Sequence, residues 1–231
     1  MSGAGSLRIL FQDNHLFVVA KPVGVPVQGD ASAANSLLER VRDHRRVAEN
    51  KPGNVFVGLV HRLDRAVSGV MVFAKTSKAA ARLSEQFRAR TVEKVYWAAV
   101  EMQRPITSPG GVWKTNLEKD ERTNVVRVVG AGRGVEAVTE WKVLSKGPAN
   151  ALLELRPKTG RSHQLRVQCA AAGLPIVGDR RYGAKTLFPD GIALHAVMLA
   201  FDHPTTKERV RFSTVPAADW KALGLKLPRL F

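Results

Sequence analysis

The chain has 231 residues, 45% hydrophobic and 24% charged, enough to bury a core in the manner of an ordinary globular protein. Its charge is not ordinary: 36 Lys and Arg stand against 20 Asp and Glu, a net +16, which calls for a polyanionic partner, most economically nucleic acid. The single cysteine, Cys169, excludes an internal disulfide and a cysteine-built zinc site and fits a reducing compartment; no apolar run approaches a membrane span, and Met1–Ser6 shows no secretory leader pattern.

In chain order, Ile9-Leu10-Phe11 and Leu16-Phe17-Val18-Val19 read as short strands parted at Asp13-Asn14. Lys21-Pro22 ends the second, because proline cannot donate to a strand ladder. Ser36 to Arg46 predicts a helix with Leu37, Leu38 and Val41 on one stripe and Arg40, Arg42, Arg45 and Arg46 on its solvated or phosphate-facing sides. The apolar run Val70–Ala74 predicts a strand. Thr76-Ser77 then caps a helix to about Arg90, with Ala79, Ala80, Leu83 and Phe87 as the buried stripe. Lys94–Val100 is a strand whose period of two puts Val95, Trp97 and Ala99 on one face and Tyr96 on the other.

Residues 112 to 156 predict several strands. Those at 124–129 and 135–144 flank Gly130-Ala131-Gly132-Arg133-Gly134. A dinucleotide-binding glycine loop would open a helix; a strand follows here, so a hairpin loop is expected instead. The strand Ala151–Arg156 stops at Pro157. Ser162 is the expected N-cap of a helix running to Gly173, with His163 and Arg166 sharing a face at its start and Leu165, Cys169 and Ala172 turned to the core. Gly178–Gly183 is a basic turn. Leu194–Phe201 is apolar, Val210–Ser213 is a strand and Trp220–Leu223 a short helix.

The densest chemistry lies in His61-Arg62-Leu63-Asp64-Arg65-Ala66-Val67-Ser68-Gly69, where one carboxylate sits between two guanidinium groups at the entrance to an apolar strand. A surface ion pair of this kind contributes only about 0–1 kcal/mol. An Asp held at the end of a rigid element beside Arg instead stays ionised, which suits a nucleophile better than a general acid. His61, His163 and His195 have no metal-ligand spacing, and no metal site is expected.

His61-Arg62-Leu63-Asp64 with Ser68-Gly69, Lys94-Val95-Tyr96, Thr159-Gly160-Arg161-Ser162-His163-Gln164-Leu165-Arg166, Gly173 to Asp179 with Tyr182-Gly183, and Leu194-His195-Ala196 occur in that order, and Lys21-Pro22-Val23-Gly24 precedes them. Together they resemble an RluA-type pseudouridine synthase over about residues 8–215. The resemblance implies an α/β (α+β) catalytic fold: a bent, mostly antiparallel mixed sheet flanked by helices, with a central RNA-binding cleft. It implies cofactor-free isomerisation of uridine to pseudouridine in structured RNA, rRNA or tRNA, on a nucleotide extruded from its stack. Asp64 would be the ionised catalytic carboxylate, adding to the sugar carbon or removing a sugar proton. Tyr96 would stack on the base and take part in proton transfer at C5. Arg166 would pair with Asp64, with Arg161 the other candidate for that role. Arg62 would fill the gap in the RNA stack or hold phosphate, and Arg65, Arg161, His163, Arg180 and Arg181 complete the expected RNA-binding set. Val67 stands where the family usually has Thr, and Gln168 where His is common.

The resulting expectation is one catalytic domain over residues 1–231, without the separate N-terminal RNA-binding domain of many relatives. It would act as a monomer in the cytoplasm (in mitochondria if eukaryotic), in contact with RNA and with ribosomal assembly particles but no membrane. The competing reading is a non-catalytic RNA-binding or ribosome-assembly factor that keeps the fold. An Asp-dependent glycosidase is disfavoured because no second carboxylate sits in a motif.

Overall fold

The computed structural model describes residues 7–29, 36–51, 53–189 and 191–230; Met1–Ser6, read above for a leader, lie outside them. In chain order the elements are β1 (Arg8–Gln12), β2 (Leu16–Lys21), α1 (Leu37–Ala48), β3 (Gly58–Leu59), β4 (Ser68–Ala74), α2 (Ser77–Ala89), β5 (Glu93–Glu101), β6 (Gly110–Asp120), β7 (Val125–Val129), β8 (Val135–Lys146), β9 (Asn150–Pro157), α3 (Gln164–Ala171), β10 (Leu194–Asp202) and β11 (Arg209–Ser213), with short 3-10 turns at Arg180–Tyr182 and Ala218–Leu223. The architecture is α+β. The chain forms two compact units, residues 1–93 with 198–214 and residues 94–197 with 215–231.

In the first unit β2 is paired antiparallel with β1 on one side and β4 on the other. β3 also joins β4, and β11 pairs with the outer half of β10. Both faces are covered, so β2 and β4 are almost wholly buried. Leu16, Val18, Val70, Val72, Leu199 and Phe201 pack against Ala79 and Leu83 of α2, with Phe87 closing the edge. Each such side chain contributes roughly 1.5–3 kcal/mol by leaving water. Thr76 caps α2 by accepting from the Ala79 N–H at 3.1 Å, and Ser36 caps α1 by accepting from the Glu39 N–H at 3.3 Å.

One expectation for α1 fails. Arg45 is buried rather than solvated: its Nε bonds Glu49 at 3.0 Å, and its Nη1 donates to the carbonyls of Phe56 and Lys75. The side chain is a staple between α1 and two distant segments, and its two carbonyl acceptors lie too far along the chain for helical spacing to reveal.

In the second unit the strands run β5-β9-β8-β6-β7, and the pairings among these five are antiparallel. The glycine-rich segment 130–134 is not the hairpin turn expected of it. β7 and β8 both pair with β6, so the hairpin joins β6 to β7 and residues 130–134 cross β6 near Asn116 and Leu117. Gly134, at φ +64°, shows why glycine is needed there: a Cβ would fall 2.5 Å from the Leu117 carbonyl oxygen.

α3 packs on this sheet through a closed polar network. Gln164 Oε1 accepts from the Thr159 hydroxyl at 2.7 Å and the Arg161 N–H at 3.0 Å, while its Nε2 donates to the Thr139 hydroxyl at 2.8 Å and the Val138 carbonyl at 3.1 Å. One turn on, Gln168 Oε1 accepts from the Thr139 hydroxyl at 2.7 Å, and its Nε2 donates to Thr115 Oγ1 at 3.0 Å and the Ala137 carbonyl at 3.1 Å. Two glutamines four apart thus fix the rotation of α3 about its axis, with both amide donors of each glutamine answered. Gln168→Leu should orphan buried groups at about 1–3 kcal/mol each. The expected result is a lower urea midpoint at unchanged m-value, and an unshifted midpoint would show that the network holds nothing.

Candidate active site

Residues 60–67, between β3 and β4, have no strand ladder of their own, and their backbone is held by specific ties. Leu63 and Val67 are buried on either side of Asp64. The Asp64 carbonyl accepts from the Val67 N–H at 3.0 Å, closing a turn. His61 Nε2 accepts from the Val72 N–H of β4 at 3.0 Å, and its ring stacks on Phe87 at 4.7 Å. An accepting Nε2 means a neutral imidazole with its proton on Nδ1, a structural role. Arg65 is tied twice to the loop after β2: its carbonyl accepts from the Gly24 N–H at 3.0 Å and its Nε donates to the Gly24 carbonyl at 2.9 Å. Gly24 takes φ +79°, a conformation that glycine adopts without strain. Asp64 is left half-exposed between the exposed Arg62 and Arg65. Val67, where a hydroxyl was expected, fits its position: at 3% exposure it is an apolar anchor.

Beneath this loop lies a residue that sequence reading placed only in a motif. Lys21 is buried, and its Nζ donates to the Pro22 carbonyl at 2.9 Å and the Arg65 carbonyl at 3.2 Å. Burial pushes its ammonium down to about 7, with the Asp64 charge opposing the fall and the Arg65 charge adding to it. A strand-terminal lysine before proline gives no hint of this in sequence.

In the second unit, Tyr96 lies half-buried on β5 opposite Leu155 of β9, between the buried Val95 and Trp97. The start of α3 differs from expectation. Ser162 does not cap the helix; His163 occupies the cap position in a left-handed conformation at φ 50° and makes no side-chain cap bond. Its Nδ1 instead meets the Tyr182 hydroxyl at 2.7 Å, and that oxygen accepts from the Val126 N–H at 3.1 Å. Arg166 is buried, and Asp179 grips it in a bidentate pair: Nε to Oδ2 at 2.7 Å and Nη2 to Oδ1 at 2.8 Å. Its Cζ lies 5.0 Å from the centre of the Tyr182 ring. Sequence reading took Gly178-Asp179 as turn chemistry and missed this partner; Asp64, the partner it gave Arg166, belongs to the first unit.

Of the expected RNA-binding arginines, Arg161 is exposed and braced by Nε on the Glu136 carbonyl at 3.0 Å. Arg181 is exposed and braced by Nη1 on the Asn124 carbonyl at 3.2 Å, and Arg180 is exposed beside it. Among the described residues no three His, Cys, Asp or Glu side chains converge to hold a metal ion, and no helix is long and apolar enough to cross a membrane.

A family model described as RNA pseudouridylate synthase matches residues 15–171, a span that includes Lys21, the Asp64 loop, Tyr96 and Arg166. The chain belongs to the RNA pseudouridylate synthase family. It is 35% identical over 214 residues to ribosomal large subunit pseudouridine synthase C of Vibrio vulnificus, covering 87% of this chain and 62% of that protein. It is 36% identical over 219 residues to ribosomal large subunit pseudouridine synthase D of Xylella fastidiosa, covering 89% and 64%. Against these two relatives, then, the chain spans less than two thirds of their length. An uncharacterized RNA pseudouridine synthase of Zymomonas mobilis is 38% identical over 184 residues, covering 77% of this chain and 78% of its own. Among solved structures, human RNA pseudouridylate synthase domain containing 4 superimposes with a TM-score of 0.78 at 27% identity, covering 96% of this chain and 95% of its own.

The Lys21 geometry has a consequence for the stability of the fold. Between about pH 7 and 10.5 the unfolded chain binds a proton at Lys21 that the folded chain does not, so this group raises stability with pH across that window; below 7 the cost of burying the charge is fully present. Replacing Lys21→Met removes that slope. Urea titrations at pH 7 and 9.5 should show wild type gaining on the variant as pH rises, and equal shifts for the two proteins would contradict the burial of a titrating amine.

Proposed function

We propose that this synthase-family chain converts uridine to pseudouridine in RNA, with large-subunit ribosomal RNA as the substrate class. The observation that carries the reading is Asp64, a half-exposed carboxylate on a loop whose flanking groups are tied down, in a chain of net charge +16 that matches the family across its motifs. The names of the curated relatives favour ribosomal over transfer RNA.

The reaction is an isomerisation and balances without a co-reactant. The bond between N1 of uracil and the ribose carbon breaks, the ring turns, C5 bonds to that carbon, and the C5 proton is given up while N1 gains one. An ionised Asp64 serves either route to bond breakage, by adding to the sugar carbon or by removing a sugar proton. Tyr96 stacks on the extruded uracil and assists the proton transfer at C5; stacking of this kind contributes ~1–3 kcal/mol per base. Arg166 is the cation we assign to support Asp64 in turnover. Arg62 fills the vacated stack or holds phosphate, and Arg65, Arg161, His163, Arg180 and Arg181 hold the backbone. The protein acts as a monomer in the cytoplasm, on naked rRNA or on assembling ribosomal particles.

Formation of pseudouridine expels the hydrogen at C5, so tritium release from transcribed large-subunit rRNA carrying 5-tritiated uridine reads turnover. Asp64→Asn should abolish release while RNA affinity stays within a few fold; retained turnover, or an equal loss of binding, would remove Asp64 from the chemistry. Binding should also weaken with salt at a log-log slope of about −0.7 per single-stranded phosphate contacted. A flat dependence would sever the positive charge from RNA binding.

A further inference from the structure

The turn Gly178-Asp179-Arg180-Arg181-Tyr182-Gly183 has no part in the chemistry proposed above, yet two of its side chains converge on one guanidinium. A 3-10 turn spans Arg180–Tyr182, so Asp179 and Tyr182 fall three residues apart and reach the same side. The turn is itself fixed: the Asp179 carbonyl accepts from the Tyr182 and Ala184 N–H groups at 3.0 and 3.1 Å, and the Asp179 N–H donates to the Ile176 carbonyl at 2.9 Å. A positive-φ glycine closes each end, Gly178 at +87° and Gly183 at +93°. At Gly178 a Cβ would lie 2.7 Å from the Gly191 carbonyl oxygen, so the turn's entry is sterically committed as well.

From this frame Asp179, only 2% exposed, takes two edges of the Arg166 fork, and the Tyr182 ring lies against the guanidinium. A planar fork held at two nitrogens by a carboxylate cannot rotate about its long axis. The Tyr182 hydroxyl in turn reaches His163 Nδ1, the left-handed residue that begins α3, and is fixed by the Val126 N–H. The same tyrosine therefore touches both the guanidinium and the start of the helix that carries it.

We propose that Asp179 and Tyr182 are positioning residues for turnover: they hold the Arg166 guanidinium in the orientation its catalytic task requires, without touching RNA. The inference rests on the proposed role of Arg166 in supporting Asp64. It assigns the Asp179 and Tyr182 side chains of the turn to guanidinium alignment, and so to the rate of the chemical step, while Arg180 and Arg181 keep the RNA-binding part proposed for them.

A double-mutant cycle tests this. Single-turnover tritium release and RNA affinity are measured for Asp179→Asn, Tyr182→Leu, Arg166→Ala and the pairs Asp179→Asn/Arg166→Ala and Tyr182→Leu/Arg166→Ala, on the transcribed large-subunit rRNA described above. Asp179→Asn should slow the chemical step at least tenfold with affinity within threefold. In the Arg166→Ala background neither change should add a further loss, because both act through the missing guanidinium. Losses that multiply, or a loss confined to affinity, would overturn the inference. Should Asp179→Asn fail to fold by circular dichroism, the Tyr182→Leu cycle gives the same reading. If Arg166→Ala alone turns over at the wild-type rate, the role proposed for Arg166 fails, and the inference with it. A slow Arg166→Ala with a wild-type Asp179→Asn fails the inference alone.

Discussion

A backbone segment without a ladder must find other partners for its N–H and C=O groups, and each buried one left unpaired costs about 1–3 kcal/mol. The loop 60–67 is built around that constraint. Turn closure pairs the Asp64 carbonyl with the Val67 N–H, the Gly24 N–H and the buried Lys21 ammonium both meet the Arg65 carbonyl, and the His61 imidazole ties the loop to the Val72 N–H of β4. Two apolar anchors, Leu63 and Val67, set the depth. The loop is therefore held by its ties to almost wholly buried strands rather than by its own propensity.

The second unit solves the corresponding problem with side chains. α3 is only 8 residues long and starts at a left-handed histidine, so it has little stability of its own. The glutamine ladder fixes its roll, and the Asp179 pair fixes the one long charged side chain it buries. Breaking a buried pair by removing one partner costs about 3–5 kcal/mol, since the other charge is left stranded. Stability at α3 and alignment of Arg166 are therefore two readings of the same contacts.

Where interactions are local, sequence was a good guide. The Thr76 cap, the stripe of Leu37, Leu38 and Val41 in α1, Ala79 and Leu83 in α2 and the half-exposed Tyr96 between Val95 and Trp97 follow from spacing, while β5 from Trp97 onward is buried without alternation. The Asp64 motif was legible because its charges adjoin in the chain. What escaped was non-local. Arg45 finds acceptors 11 and 30 residues away, Arg166 finds Asp179 13 residues on, and Lys21 reaches Arg65 across 44. The glycine run at 130–134 misled for a similar reason. Its flanking strands do pair antiparallel, but with β6 and not with each other, and nothing in the local pattern distinguishes the two arrangements.

The whole account depends on Asp64 being the group that acts on a uridine. The most direct measurement is a transcriptome-wide pseudouridine map of the source organism lacking this protein, complemented with either the wild type or Asp64→Asn. The account expects defined positions in large-subunit rRNA to lose pseudouridine in the deletion, to regain it with the wild type and to stay unmodified with the variant. Restoration by Asp64→Asn, or an rRNA map unchanged by the deletion, would contradict it.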